Sequence, residues 1–311
     1  MSSFADYESY DGLGLADLVR RGKVTPTELL DSAIARVEAR NPSINAIVLP
    51  LYDNARRQIA DGLPDGPFRG VPYLLKDLGA SLAGVRTMRG SRFFADTPPA
   101  TSDSEHVARL KRAGLVIFGR TSTCELGLSL TCEPRLYGAT KNPWDLTRIS
   151  GGSSGGAAAA TGARIVPMAH ASDGFGSIRA PAACCGLVGL KPTRARNTMA
   201  PYSGEGLGGL STEHAVTLTV RDCAALLDAT AGPGRATPIP HPHPHGHSSP
   251  RSARQWAASG SPGPCARPTA CQSTLRAKRS CGIWPPSAQS SAMMCARQIP
   301  TSIAMRSFRR S

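Results

Sequence analysis

SGGSSGG at residues 150–156 runs into AAAATGARIVPMAH at 157–170 and then into ASDGFGSIRAPAACCGLVGLKPT at 171–193. A glycine-serine run taken alone reads as a flexible linker. Linkers are flanked by polar, aperiodic sequence, whereas this run feeds a small-residue helix and then an apolar strand. A glycine-rich turn that opens onto a helix leaves backbone N–H groups free, where an anion or oxyanion can sit. The stretch therefore predicts a site, and the rest of the chain is read against it.

Upstream the sequence reads as scaffold. VPYLLKDLG at 71–79 is an apolar run of strand length that ends in Lys76-Asp77, and a lysine closing a buried strand is unusual. Ser102 and Glu105 read as a capping box for a helix carrying Val107 and Leu110; Gly114 ends it, and LVIFG at 115–119 reads as a strand. Strand, helix and strand in that order predict a parallel unit with a right-handed crossover, hence an α/β fold. Nearer the start, 12–21 reads as a short amphipathic helix stopped by Gly22. Thr25, Pro26 and Glu28 then open a helix whose stripe of Leu29, Leu30, Ala33, Ile34 and Val37 runs to Asn41-Pro42. An apolar stretch at 44–51 and a charged helix at 52–61 follow.

Downstream we expect a strand at 165–169, a turn at 173–176, a helix from Ser177, a strand at 186–190 and a last helix capped by Thr219 with Asp222 and ending at Gly232. From Pro233 the text changes. Residues 235–311 contain ten Arg, one Lys and no acid, so most of the chain's formal charge of +14 lies there, while residues 1–234 carry 25 basic against 22 acidic side chains. The basic balance thus says nothing about nucleic acid for the main body. Basic arms are usually lysine-rich, and histidine tracts such as HPHPHGH at 241–247 rarely stand in Pro-Arg-Cys text, so neither nucleic acid, membrane nor metal is expected of the tail. An abrupt loss of every acid after a well-formed helix reads instead as out-of-frame translation of a GC-rich gene, and as disorder. The expected division is a helical part at 1–70, a core at 71–232 and this tail at 233–311.

No run of 18 apolar residues and no signal-peptide pattern is present in the 311 residues, which makes a cytoplasmic location the default. Nine cysteines in no framework spacing, two of them adjacent at Cys184-Cys185, predict buried thiols, not disulfides or a zinc site.

Three side chains stand out as an acyl-transfer set: Lys76 at a strand end, Ser153 in GGSSGG and Ser177 in DGFGSIR. Singly, they read as a surface lysine, a turn former and an N-cap. Together they make chemical sense, because serine needs a base to take its proton and a desolvated lysine can be one. Lowering a lysine from about 10.4 to about 7–8 takes roughly 4 kcal/mol of destabilised ammonium, which the apolar VPYLL supplies. Gly151-Gly152-Ser153-Ser154-Gly155 also fits the G-x-S-x-G nucleophile elbow, with Asp173 and His214 in the order of a triad. An elbow requires a buried strand just before the serine, and NPWDLTRIS at 142–150 offers a proline, two charges and no apolar run. A phosphate-binding loop fails because no Gly-Lys-Ser/Thr follows.

With GVPYLLKD at 70–77, GRTSTCELG at 119–127, KNPWD at 141–145, GGSSGGAAAA at 151–160 and DGFGSIRAPAACCGLVGLKPT at 173–193, the chain resembles the amidase signature hydrolases from about Gly12 to Gly232. The resemblance implies a mixed central sheet covered by helices, and hydrolysis of a small-molecule amide to carboxylate and amine without metal or cofactor. It implies Ser177 as nucleophile, Ser153 on a cis peptide as proton relay, and Lys76 as general base. Backbone N–H groups of Gly174, Phe175, Gly176 and Ser177 would form the oxyanion hole, with Asp173 and Arg179 holding the turn. A homodimer is compatible with it. Where the family commonly has Gly-Gly before the nucleophile, Phe175-Gly176 stands here, so the phenyl ring has to find room beside the oxyanion. That departure, with PYLLKDL, is similar to the branch containing the 6-aminohexanoate cyclic dimer hydrolases more than to the tRNA amidotransferase A subunits. The family domain continues well past Gly232, so the rival to an active amidase is a truncated remnant without turnover.

Overall fold

Several helix starts are set by side-chain caps, some local and some long-range. The structure, a computed structural model, describes residues 4–201 and 203–234. Helix α1 (Gly12–Arg20) begins at Asp11, whose carboxylate accepts from the Gly14 N–H, and its first two amides, Gly12 and Leu13, donate to Asp222 at 2.7 and 2.9 Å. Gly22 follows it with φ of 65°. Helix α2 (Pro26–Ile44) has the full Thr25–Glu28 capping box that the sequence predicts. It does not stop at Pro42. The proline sits in the final turn, and the end comes at Asn45 in the left-handed conformation, while the Asn41 amide accepts from the Ala46 and Ile47 N–H groups.

Strand β1 (Ile47–Pro50) and helix α3 (Tyr52–Ala60) lead to β2 (Pro72–Lys76), all five residues of which are buried. Helix α4 (Glu105–Arg112) is capped by Ser104, whose hydroxyl accepts from the Val107 N–H. The expected Ser102–Glu105 box is therefore corrected by two residues: Glu105 lies at the first helical position, and its carboxylate pairs with Arg109 and Arg112. Strand β3 (Val116–Thr121) closes the β2–α4–β3 unit, parallel to β2 from Pro72 opposite Val116 to Lys76 opposite Thr121.

Strands β4 (Lys141–Asn142) and β5 (Asp145–Ile149) form a small separate ribbon. After it come α5 (Gly155–Gly162), β6 (Met168–Asp173), α6 (Arg179–Cys185), the two-residue β7 (Val188–Gly189), β8 (Thr212–Thr217) and α7 (Val220–Thr230). Strand β6 begins three residues later than expected and α6 two residues later. Strand β8 is not anticipated by the sequence reading. It lies antiparallel to β6 from Met168 opposite Thr217 to Asp173 opposite Thr212. The main sheet runs β1-β3-β2-β6-β8-β7, with β2 parallel to both neighbours and β1, β8 and β7 antiparallel to theirs. The fold is thus the mixed α/β sheet expected. Strands buried on both faces, as β2, β3, β6 and β8 are, require helices on both sides.

Among the described residues no helix is long and apolar enough to cross a membrane, and the five described cysteines are free thiols. The tail, from residue 235 onward, lies outside the described residues.

The small-residue tract at 155–160 has a packing reason. Helix α5 is buried from Gly155 through Thr161, and a Cβ on Gly156 would fall 2.4 Å from the Ser122 nitrogen and 2.7 Å from the Ala46 oxygen. Backbone cannot yield as a flexible side chain does. We expect Gly156→Ala to cost about 1–3 kcal/mol, read as a lower midpoint in urea unfolding; an unchanged midpoint would show that α5 does not approach the sheet this closely.

Candidate active site

Lys76 ends β2 and is fully buried. Its carbonyl accepts from Arg120 Nη1 at 3.0 Å, and Arg120 Nη2 reaches the Ala80 carbonyl at 3.2 Å, so a buried guanidinium ties down the strand end and the loop beyond it. The side chain turns to two hydroxyls: Nζ donates to Ser153 Oγ at 2.7 Å and to Ser172 Oγ at 3.0 Å. Burial pushes the ammonium down to about 8, against the opposing pull of Glu213 first and of Cys124, Cys132 and Asp173 after it. The lysine thus changes charge near neutral pH, as a general base must.

Ser153 follows a cis Gly152–Ser153 peptide. The glycines before it are there for close approach, which separates this run from a linker. A Cβ on Gly151 would lie 2.7 Å from the Pro181 Cα, and one on Gly152 would lie 2.7 Å from the Leu130 carbonyl carbon. Ser154, which the sequence reading passed over, is fully buried and joins three parts. Its hydroxyl donates to the Ser172 carbonyl at 3.3 Å and accepts from the Ser172 N–H, and its N–H donates to the Ser177 carbonyl at 3.3 Å. Through that last bond the Ser177 turn meets the Ser153 loop. No hydrogen bond joins Ser177 Oγ to Ser153 or Lys76 among the described residues.

The turn itself is organised by Asp173. Its carboxylate accepts from the N–H groups of Gly176, Ile178 and Arg179 at 2.7, 3.1 and 3.3 Å, and from Arg179 Nε and Nη2, both at 2.9 Å. Burial alone would raise this carboxyl, but the Arg179 guanidinium and the backbone donors together hold it at about 2. Asp173 and Arg179 therefore sit where a supporting role needs them. The Gly176 N–H, one of the four expected oxyanion donors, donates to Asp173. The N–H groups of Gly174, Phe175 and Ser177 have no acceptor among the described residues. The Phe175 ring, 74% exposed, points away from the crowding expected of it.

The elbow arrangement finds no support in this geometry. β5, the strand before Ser153, is a partly exposed edge of the small ribbon. His214 bonds Cys223 Sγ at 3.3 Å and is held by burial down to about 4. Asp173 is taken by Arg179. A cavity of about 580 Å³ borders Glu213 and His106 and is lined by none of Lys76, Ser153 and Ser177. It is not where this cluster would meet a substrate.

Comparison with known proteins follows the geometry. Residues 28–260 match the family model described as Amidase. The chain is 45% identical over 230 residues to a 6-aminohexanoate-cyclic-dimer hydrolase from Paenarthrobacter ureafaciens and to one from Pseudomonas sp. (strain NK87), covering 71% of this chain and 45% of each relative. A solved structure of 6-aminohexanoate cyclic dimer hydrolase complexed with substrate superimposes with a TM-score of 0.75 at 40% identity, over 83% of this chain and 52% of that one. The chain spans about half the length of the curated relatives it matches.

The Asp173 knot has a pH signature. Folding lowers this carboxyl from its usual 3.8 to about 2, so its contribution to stability is complete above about pH 4 and is lost as pH falls through that window. Asp173→Asn should be less stable than the parent at pH 6, with the difference shrinking toward pH 2 in urea titrations. A difference independent of pH would remove the charge on Asp173 as the organiser of the turn.

Proposed function

Because the chain belongs to the amidase family, we propose that its Lys76–Ser153–Ser177 cluster hydrolyses a carboxylic amide to carboxylate and amine through an acyl-Ser177 intermediate. The observation that carries this reading is the 2.7 Å contact between Lys76 Nζ and Ser153 Oγ in a fully buried setting. Neutral Lys76 accepts the Ser153 hydroxyl proton as Ser153 accepts that of Ser177, and Ser177 Oγ adds to the amide carbonyl. Charge then develops on the carbonyl oxygen, and the N–H groups of Gly174, Phe175 and Ser177 are the donors available to it, each worth roughly 3–4 kcal/mol in comparable sites. The proton returns through Ser153 to the departing nitrogen, so the amine leaves neutral. A water molecule, giving up its proton along the same path, releases the carboxylate and restores Ser177. Arginine could not replace the lysine, since guanidinium stays protonated at any usable pH.

The name of the matched relatives makes the cyclic dimer of 6-aminohexanoate the first amide to try.

A fluorophosphonate probe separates this reading from the elbow. Labelling should fall on Ser177, be lost in Ser177→Ala, and rise with pH through a midpoint near the Lys76 value of about 8. Lys76→Arg should lower the labelling rate about 100-fold or more, within the range of general-base contributions. Labelling at Ser153, or a Lys76→Arg variant as fast as its parent, would overturn the assignment.

A further inference from the structure

We propose that His170 and Glu213 are positioning residues for Lys76: a buried pair that holds the strand end carrying the lysine and sets one uncompensated negative charge beneath it. The inference rests on the reading of Lys76 as the base. Parallel pairing between β2 and β6 involves one residue pair, Leu74 with Ala169. Two residues further on, the Lys76 N–H donates not to a backbone carbonyl but to His170 Nδ1, at 3.3 Å. An Nδ1 that accepts carries no proton, so the ring's proton lies on Nε2, which faces Glu213 Oε2. The pair is then a neutral imidazole and a carboxylate.

Several features hold that carboxylate in place. Glu213 stands opposite Ser172 in the β6–β8 register, and Ser172 is itself a partner of Lys76 Nζ. Asn197 Nδ2 donates to the Glu213 carbonyl at 2.6 Å. A Cβ on Gly79, three residues beyond the lysine, would fall 2.3 Å from Glu213 Oε1, so a side chain there would displace the carboxylate. Both the lysine strand and the loop after it are thus fitted around this one acid.

The other charged or titratable groups facing the pair and the lysine do not duplicate its charge. His106, on α4, lies 5.5 Å from the His170 ring, and burial keeps it neutral, as it does His214 on β8. Asp173, on β6, is matched by Arg179. Cys124 and Cys132 face Lys76 as buried thiols, and burial raises that of Cys124. Asp77, beside Lys76, faces the Arg120 guanidinium, and Tyr73 on β2 faces Glu213 as a buried phenol. Glu213, bonded to His170, is the foremost charge working against the desolvation of Lys76. Without it the desolvation of Lys76 would lose its foremost counterweight, and the lysine would fall further below its ordinary value. With it the lysine is poised.

The test reads the charge of Lys76 directly. In the full chain labelled with ¹³C,¹⁵N-lysine, six lysines titrate, and Lys76 is identified by its absence in Lys76→Met. In Glu213→Gln the Lys76 midpoint should fall by about one pH unit or more, and an unchanged midpoint in the folded variant would overturn the proposal. The unmodified chain supplies an independent reading: ¹⁵N spectra should show His170 protonated at Nε2 and bare at Nδ1, and the reverse tautomer would overturn it. The pH profile of probe labelling keeps the two claims apart. If the Lys76 midpoint moves and the labelling profile does not, the positioning stands and the base assignment falls; if both move together, both stand.

Discussion

A primary amine buried at the end of an interior β-strand is a costly feature of this molecule, and much of the surrounding architecture answers it. Holding Lys76 at about 8 instead of 10.5 corresponds to roughly 3 kcal/mol of destabilised ammonium. The unfolded chain binds a proton there that the folded chain gives up between these values, so this group's penalty shrinks as pH rises from about 8 to 10.5. Such a cost persists only where neighbours determine the position. Arg120 holds the lysine's carbonyl, His170 its amide, and Ser153 and Ser172 its amine.

The placement follows from sheet topology. Lys76 and Asp173 end the parallel strands β2 and β6, so backbone leaving both strands emerges on one side. Crevices at the carboxyl ends of parallel strands are where α/β folds place ligands. The glycine run then brings Ser153 to that side by passing its backbone against Pro181 and Leu130, and the buried α5 anchors its far end. Antiparallel β8 adds what a purely parallel sheet would not. It lays Glu213 beside Ser172, so an acid enters from a neighbouring strand without any motif around it.

This explains which parts were legible in the sequence. Caps with a side-chain signature, such as Thr25 with Glu28 and Thr219 with Asp222, were readable because the bond is local. Lys76, Ser153 and Ser177 stood out because each broke the pattern around it. The Ser102 cap failed on spacing alone, since Ser102 and Ser104 both precede the helix and only the backbone path decides between them. Ser154 was missed because a serine beside another serine carries no distinct signal, and Ser172 because a lone serine in an apolar strand carries none either; their roles come from the meeting of the Ser153 loop with β6. His170 and Glu213 stand 43 residues apart, and no periodicity links them before β8 is paired with β6. The occupied Gly176 amide was equally hidden, because it depends on the direction taken by the Asp173 carboxylate.

That last point changes how the Ser177 turn is read. A turn of consecutive free N–H groups would attract any anion and would be costly to keep dry. Here Asp173 takes the amides of Gly176, Ile178 and Arg179, and Arg179 in turn neutralises Asp173. The carboxylate and guanidinium of the knot answer each other, so it adds rigidity to the turn. Gly176 can serve this way because its φ of 114° is one that L side chains rarely adopt. Phe175 needs no such freedom: its ring lies in solvent while its N–H stays unengaged by described residues. A side chain at that place therefore leaves the donor intact, and the departure from Gly-Gly bears on what the turn presents to its surroundings more than on its capacity to stabilise negative charge.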